Sequence, residues 1–71
     1  MNSVIVFVVW MFDFEEDLKS YDLRIANVNH EIGGNDVTLV GSKEEIIRYL
    51  ETEYFPGMED EDKKEILDSI K

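Results

Sequence analysis

The chain has 71 residues, of which 44% are apolar and eight are aromatic, and none is cysteine. Seventeen Asp and Glu face seven Lys and Arg, a net charge of −10. One small domain is therefore expected, without disulfides or thiolate metal sites, and with too many aromatic and aliphatic residues for a disordered acidic tail. Charge of this density destabilises a compact state by self-repulsion, which suggests that it is kept for use. A chain of this size also has a thin core, so an efficient single core or self-association has to stabilise it.

Residues 3–12 form an apolar run, too short for a membrane-spanning helix of ~20 residues. No base precedes the run and Asp13, Glu15, Glu16 and Asp17 follow it, unlike a secretory signal. A protein that is neither exported nor membrane-bound, in the cytoplasm, is the expectation. Residues 4–12 are β-branched and aromatic at both parities, which predicts a central strand covered on both faces, or on one face with self-association on the other, with Trp10 largely buried. Residues 13–20 are polar and turn-like, with room for a short helical turn at residues 15–18.

Tyr21, Leu23 and Ile25 alternate with Asp22 and Arg24 as in a half-exposed strand. The apolar parity shifts at Ala26 and Asn27, because Val28, His30 and Ile32 carry it onward, and a one-residue shift predicts a β-bulge. Gly33, Gly34, Asn35 and Asp36 signal a hairpin turn, and residues 37–40 the returning strand. Ser42 is placed to cap a helix, with Glu45 completing a capping box. Ile46, Ile47, Leu50 and Tyr54 form its apolar face, and Phe55, Pro56 and Gly57 end it. Residues 59–62 put four carboxylates at the start of a second helix, whose dipole favours them, with Ile66, Leu67 and Ile70 as its core face. The predicted fold is α+β, in the order β-β-β-α-α, with two helices packed on one face of a small three-stranded antiparallel sheet in a single domain.

Catalytic and metal motifs are weak. His30 is the only histidine and lacks a second ligand or base nearby in sequence. Gly41, Ser42 and Lys43 lack the glycine spacing of a phosphate loop, and two glutamates follow them. Neither Asp60 and Asp62 nor Asp13, Glu15 and Asp17 are followed by the central glycine and terminal glutamate of a calcium loop. Ser69 follows an aspartate as in acyl carrier proteins, but it lies near the chain's end in a protein half of whose length reads as strand. No enzymatic role, cofactor or metal is expected.

The acid clusters carry the functional reading. Alternate strand residues lie ~6.6–6.8 Å apart on one face and helical i, i+4 neighbours project at ~6 Å, both close to phosphate spacing along a nucleic-acid strand. Duplex DNA carries one charge per ~1.7 Å of axis, so ten charges match ~17 Å of duplex. Asp13, Glu15, Glu16, Asp17, Glu44, Glu51, Glu59, Asp60, Glu61 and Asp62 are the candidate partner-binding residues; a plain solvated face is the alternative. In size, acidity, lack of cysteine and layout the chain resembles the DNA-mimic inhibitors that phages make against host proteins. That resemblance is compositional, covers the whole chain and assigns no individual residue. It implies a basic nucleic-acid-binding partner, with a nucleoid protein such as HU favoured and RNA polymerase, a DNA glycosylase or a restriction enzyme as others. The competing expectations are an antitoxin or immunity-type inhibitor of a basic toxin or nuclease, and an acidic subunit or homodimer whose charge serves solubility.

Overall fold

The computed structural model describes all 71 residues. Strand β1 (Asn2–Val8) leads into helix α1 (Met11–Leu18), strands β2 (Leu23–Glu31) and β3 (Gly34–Gly41), and helix α2 (Lys43–Tyr49). A π-helical stretch, Leu50–Tyr54, continues α2, and helix α3 (Asp60–Asp68) follows. The α+β class and the antiparallel three-stranded sheet are as expected; the helices number three rather than two.

The sheet order is β1-β3-β2, with β3 antiparallel to both neighbours. The run at residues 4–12 is therefore not the central strand. It breaks after Val8, and β1 lies at an edge. β1 and β2 are parallel with β3 between them, and parallel strands need a crossover connection rather than a tight hairpin. Residues 9–22 supply it, which is why the stretch expected to be a turn carries α1.

Val4, Val6 and Val8 of β1 and Val37 and Leu39 of β3 are buried on one face. Phe14 and Leu18 of α1, Ile46 and Tyr49 of α2, and Leu50 and Phe55 complete a single core. The opposite face has no covering layer, and Ile5 and Phe7 point into it. An apolar run at both parities can thus be a one-sided strand whose open face is also apolar. Gly34 lies under the Phe7 ring, where an added Cβ would approach the ring to 2.5 Å.

The bulge falls where the parity shift places it, between Ile25 and Asn27. The hairpin turn is tighter than predicted. Ile32 and Gly33 alone reverse the chain, Gly33 taking φ 83°, so Asn35 and Asp36 belong to β3. A left-handed residue costs glycine little, and only glycine occupies that region routinely.

Ser42 caps α2 as predicted, its hydroxyl accepting from the Glu45 amide at 3.2 Å. The reciprocal half of the capping box does not form, because the Glu45 carboxylate bonds the Asp22 amide and Arg48 instead. Replacing Ser42 with Ala is expected to cost ~0.5–2 kcal/mol. Chemical denaturation reads this, and an unshifted midpoint would contradict the cap.

Beyond Tyr49 the helix widens, and the Phe55 amide donates to the Leu50 carbonyl at 2.7 Å. At ordinary helical period, Glu53 would follow Ile46, Tyr49 and Leu50 onto the core side. The wider turn keeps Glu53 exposed and delivers Phe55 to the core. The helical run ends at Phe55, Pro56 and Gly57 as expected, with Phe55 at its C-cap and also anchored in the core. Ile66 on α3 and Ile70 just beyond its end are half-buried against the core, but Leu67 is exposed, contrary to its predicted place on the core face.

Candidate functional site

In α1, Phe14 and Leu18 are four residues apart and share the buried side. That geometry turns Asp13, Glu15, Glu16 and Asp17 to solvent, and all four are exposed. The apolar residues leading into the helix are exposed too: Trp10 by 74% and Phe12 by 75%, with Val9 beside them. The expectation of a buried Trp10 fails because the strand stops two residues before it. Trp10 occupies the N-cap position of α1 without making a capping bond. It protrudes at the corner where β1 turns into the helix.

A shallow groove runs beside this corner, lined by Trp10, Asp13, Asp17, Tyr49, Glu53 and Tyr54 among others. It joins two of the predicted acids to Glu53, which the sequence reading left out. Only the π-helical widening turns Glu53 outward, and a strict helical period gave no sign of it. Burial, reinforced by the negative potential of Asp17 and Glu53, pushes the Tyr49 phenol well above its usual range. Tyr49 therefore stays neutral beneath the groove, and its ring meets Phe14 and Tyr21 edge-on at centroid distances of 6.0 and 5.5 Å.

The other candidates lie on α2, its π-helical continuation and α3. Glu59 holds the N-cap position of α3 without a capping bond, and Asp60, Glu61 and Asp62 fill its first turn, all exposed. Both α1 and α3 start at the same end of the sheet. The first begins just after Val8; the second begins a few residues beyond Tyr54, whose hydroxyl bonds Phe7, and the chain then returns to pair Lys71 with Ser3. Glu53 is at that end also. Glu44 is not: it follows the Ser42 cap at the opposite end, next to Gly41 and Asn2. Glu51 is exposed in the π-helical stretch. Asp13 and the residues 59–62 thus gather toward one end, and Glu44 stands apart.

All ten candidate carboxylates are exposed, and only two have a cation within salt-bridge distance. Glu16 meets Lys19 at 2.7 Å, and Asp60 meets Lys63 at 3.9 Å. Both are i, i+3 surface pairs of the kind worth little in water. The other eight carry uncompensated charge. Nowhere do three or more His, Cys, Asp or Glu side chains converge in a way that could hold a metal ion. His30 is exposed and its Nδ1 lies 2.6 Å from the Asn35 side-chain oxygen, tying the two strands of the hairpin.

One acid is clearly structural. Glu45 takes two bonds from Arg48, at 2.8 and 2.9 Å, and one from the Asp22 amide at 2.9 Å. Arg48 also donates to the Ser20 carbonyl at 3.0 Å and lies 4.4 Å over the Tyr21 ring, so the pair pins the α1–β2 connection to α2. The Arg48 and Asp22 hydrogen bonds lower the Glu45 carboxyl from 4.5 to about 2. A depressed folded-state value stabilises the fold above pH 4.5, and that contribution fades as pH falls toward 2. Glu45→Gln is therefore expected to flatten the acid limb of stability between those values. Denaturant midpoints at pH 6, 4 and 2.5 check this (about these values). A wild-type acid limb in the variant would contradict it.

No family model, no curated protein and no solved structure matches the chain. No helix is long and apolar enough to cross a membrane. The surface presents an acid-rich helical layer with protruding aromatic side chains at one corner.

Proposed function

We propose that the protein is an acidic inhibitor that imitates DNA and occupies the nucleic-acid-binding surface of a basic protein. The observation that carries this reading is the set of ten exposed carboxylates, eight of them without a cation, borne on the helices around one face of the fold. A merely soluble protein gains nothing from leaving eight acids without a cation, four of which, Asp13, Glu59, Glu61 and Asp62, lie toward one end of the sheet. A basic partner that normally holds phosphates meets these carboxylates with the same Lys and Arg side chains. Its counterions and those of the inhibitor are released on contact, and nucleic acid is excluded.

A basic architectural protein of the HU kind is the favoured target, because such proteins read the DNA backbone and its deformability with few base contacts. RNA polymerase, a DNA glycosylase and a restriction enzyme present basic channels that the same face could enter. The cell compartment is the cytoplasm in this reading, where such targets work. Trp10 and Phe12 favour a second reading. Exposed aromatic side chains are the typical anchors of a specific protein interface, filling pockets on the partner while charge steers the encounter. A protruding aromatic pair beside acids suits an immunity-type or antitoxin protein that plugs one basic toxin or nuclease.

A fluorescence-polarisation competition separates the two. Labelled duplex DNA of arbitrary sequence is held on purified HU-type protein, and the acidic chain is titrated in at low and at physiological salt. Displacement of DNA that weakens as salt rises supports mimicry. A ternary complex with DNA still bound refutes it and leaves the immunity-type reading, for which Trp10→Ala combined with Phe12→Ala should abolish binding to the single target.

A further inference from the structure

The two edges of the sheet are treated unequally. On β1, the Ser3 amide donates to the Lys71 carbonyl at 3.0 Å and the Ser3 carbonyl accepts from the Lys71 amide at 2.9 Å. At Phe7, the Tyr54 hydroxyl accepts from the amide at 3.1 Å and donates to the carbonyl at 3.2 Å. Only Ile5 is left to offer its outward backbone groups along that edge. Exposed strand edges are templates for pairing, and covering them is how folded proteins avoid it.

β2 has no such cover. Ser3 and Phe7 point their backbone groups away from β3, and these directions alternate along paired antiparallel strands. Through the register of the sheet, Arg24, Asn27, Asn29 and Glu31 then turn theirs into the β3 ladder. Leu23, Ile25, Val28 and His30 turn theirs outward, and none of these four makes a backbone hydrogen bond to any loop, terminus or side chain. The bulge at Ala26 is the only device on this edge.

The charges on β2 say what fits there. Arg24 lies near one end of the strand and Glu31 at the other, both exposed, both on the open face of the sheet, and neither in a salt bridge. The one side-chain hydrogen bond of Arg24 is a weak one, 3.7 Å to the Met1 sulfur. Lys43, Lys64 and Lys71 are also without a salt bridge, but Arg24 is the only Lys or Arg carried by the sheet. An antiparallel copy of the same strand brings a Glu31 to each Arg24. A parallel copy sets like charge against like.

We propose that β2 is a homodimer interface, pairing antiparallel with β2 of a second copy about a two-fold axis through Val28. Val28 then lies opposite its counterpart, Asn27 opposite Asn29, Ile25 opposite His30, and Arg24 opposite Glu31. The bulge makes this register possible. It changes the side-chain parity between Ile25 and Asn27, so Arg24 and Glu31 share a face although their numbers differ in parity. The outward backbone groups of Val28, and of each Ile25–His30 pair, meet in phase, and Ala26 stays unpaired in both ladders. The result is a six-stranded sheet with both helical layers on the same side. Both acid arrays then face one way. This interface does not rest on the inhibitor reading, since it uses a strand, and no strand carries any of the candidate acids.

Two strand edges bury a small area, below the ~1,200 Å² of a standard interface, and two chains of this charge repel, so the dimer is weak and concentration-dependent. Sedimentation equilibrium of the full chain from about 10 μM to about 1 mM, near physiological salt, tests it. The average mass is expected to rise toward twice the monomer. Val28→Pro removes an outward amide that the monomer does not use and should leave the chain monomeric. Arg24→Glu and Glu31→Arg should each weaken association at least tenfold, and the double swap should restore it. A chain that stays monomeric throughout overturns the proposal. So does a dimer indifferent to the single charge changes, which would move the interface to the open face at Ile5 and Phe7. Should Val28→Pro fail to fold, the loss and recovery across the charge swap decide alone.

Discussion

Reversing Asp13, Glu15, Glu16 and Asp17 to lysine is expected to remove displacement of DNA from a basic partner and to slow association by a factor of ten or more. Each reversal changes the charge by two, so four take the chain from −10 to −2. Electrostatic steering of this kind is worth ~10–10³ in association rate at low salt. The fold should survive, because the buried side of α1 is Phe14 and Leu18, and the only ion pair lost is the exposed one between Glu16 and Lys19. Asp13 sits in the first turn, where a lysine opposes the helix dipole at a cost of ~0.3–1 kcal/mol. Far-UV circular dichroism and stopped-flow association with the HU-type protein read the two outcomes separately. The matching reversal of Glu59, Asp60, Glu61 and Asp62 removes the same charge from α3, which lacks aromatic neighbours like Trp10 and Phe12. It is expected to have the smaller effect on the dissociation rate, since truncating an anchor acts on the bound state and rim charge on the encounter. A folded α1 variant that binds as tightly as the parent would remove the acid face from the mechanism.

The candidate acids could be recognised from sequence because exposure of a carboxylate is close to a property of the residue itself. Desolvating an unpaired acid is so costly that acids in runs such as residues 13–17 and 59–62 have few places to go but the surface. Their grouping was less accessible. Glu53 joins Asp13 and Asp17 only through the widening of the helix after Tyr49, and that widening answers a tertiary demand, the burial of Phe55. Trp10 was misplaced for a related reason. Hydropathy along residues 4–12 is unbroken, and nothing local marks Val8 as the last strand residue. The break is set by the need to start a crossover toward β2.

Elements defined by short-range chemistry were legible. The Ser42 cap depends on residues three apart, and the Ala26 bulge on a parity change within one strand; both are where the pattern put them. Strand order was not legible. It follows from α1, a helix of eight residues so rich in acid that its two core contacts, Phe14 and Leu18, look like strays in a polar loop. Once α1 is recognised as a crossover, parallel β1 and β2 must flank something, and the β2–β3 hairpin slots β3 between them.

That order has a consequence for stability. Leu39 lies at the middle of the middle strand, 0% exposed, between Val4 of β1 and Ile25 of β2 and under the helical layer. Leu39→Ala is expected to cost ~2–5 kcal/mol, the range for a buried leucine whose cavity cannot collapse. At ~0.05–0.15 kcal/mol per residue, a chain of this length has about 4–11 kcal/mol of stability in all. The variant should therefore unfold at a much lower urea concentration and be partly unfolded without denaturant at the lower end of that range. Ile5 provides the comparison. It is a similar side chain on the neighbouring strand, but 60% exposed on the open face, so Ile5→Ala should cost less than ~1 kcal/mol. Urea midpoints for the two variants, taken at about 20 μM to keep the chain monomeric, test the one-sided core directly. Equal losses would mean that the open face is covered in solution and that Ile5 is as much a core residue as Leu39. Raising salt should stabilise both variants and the parent alike, because screening relieves the repulsion among seventeen acids that the thin core has to hold together.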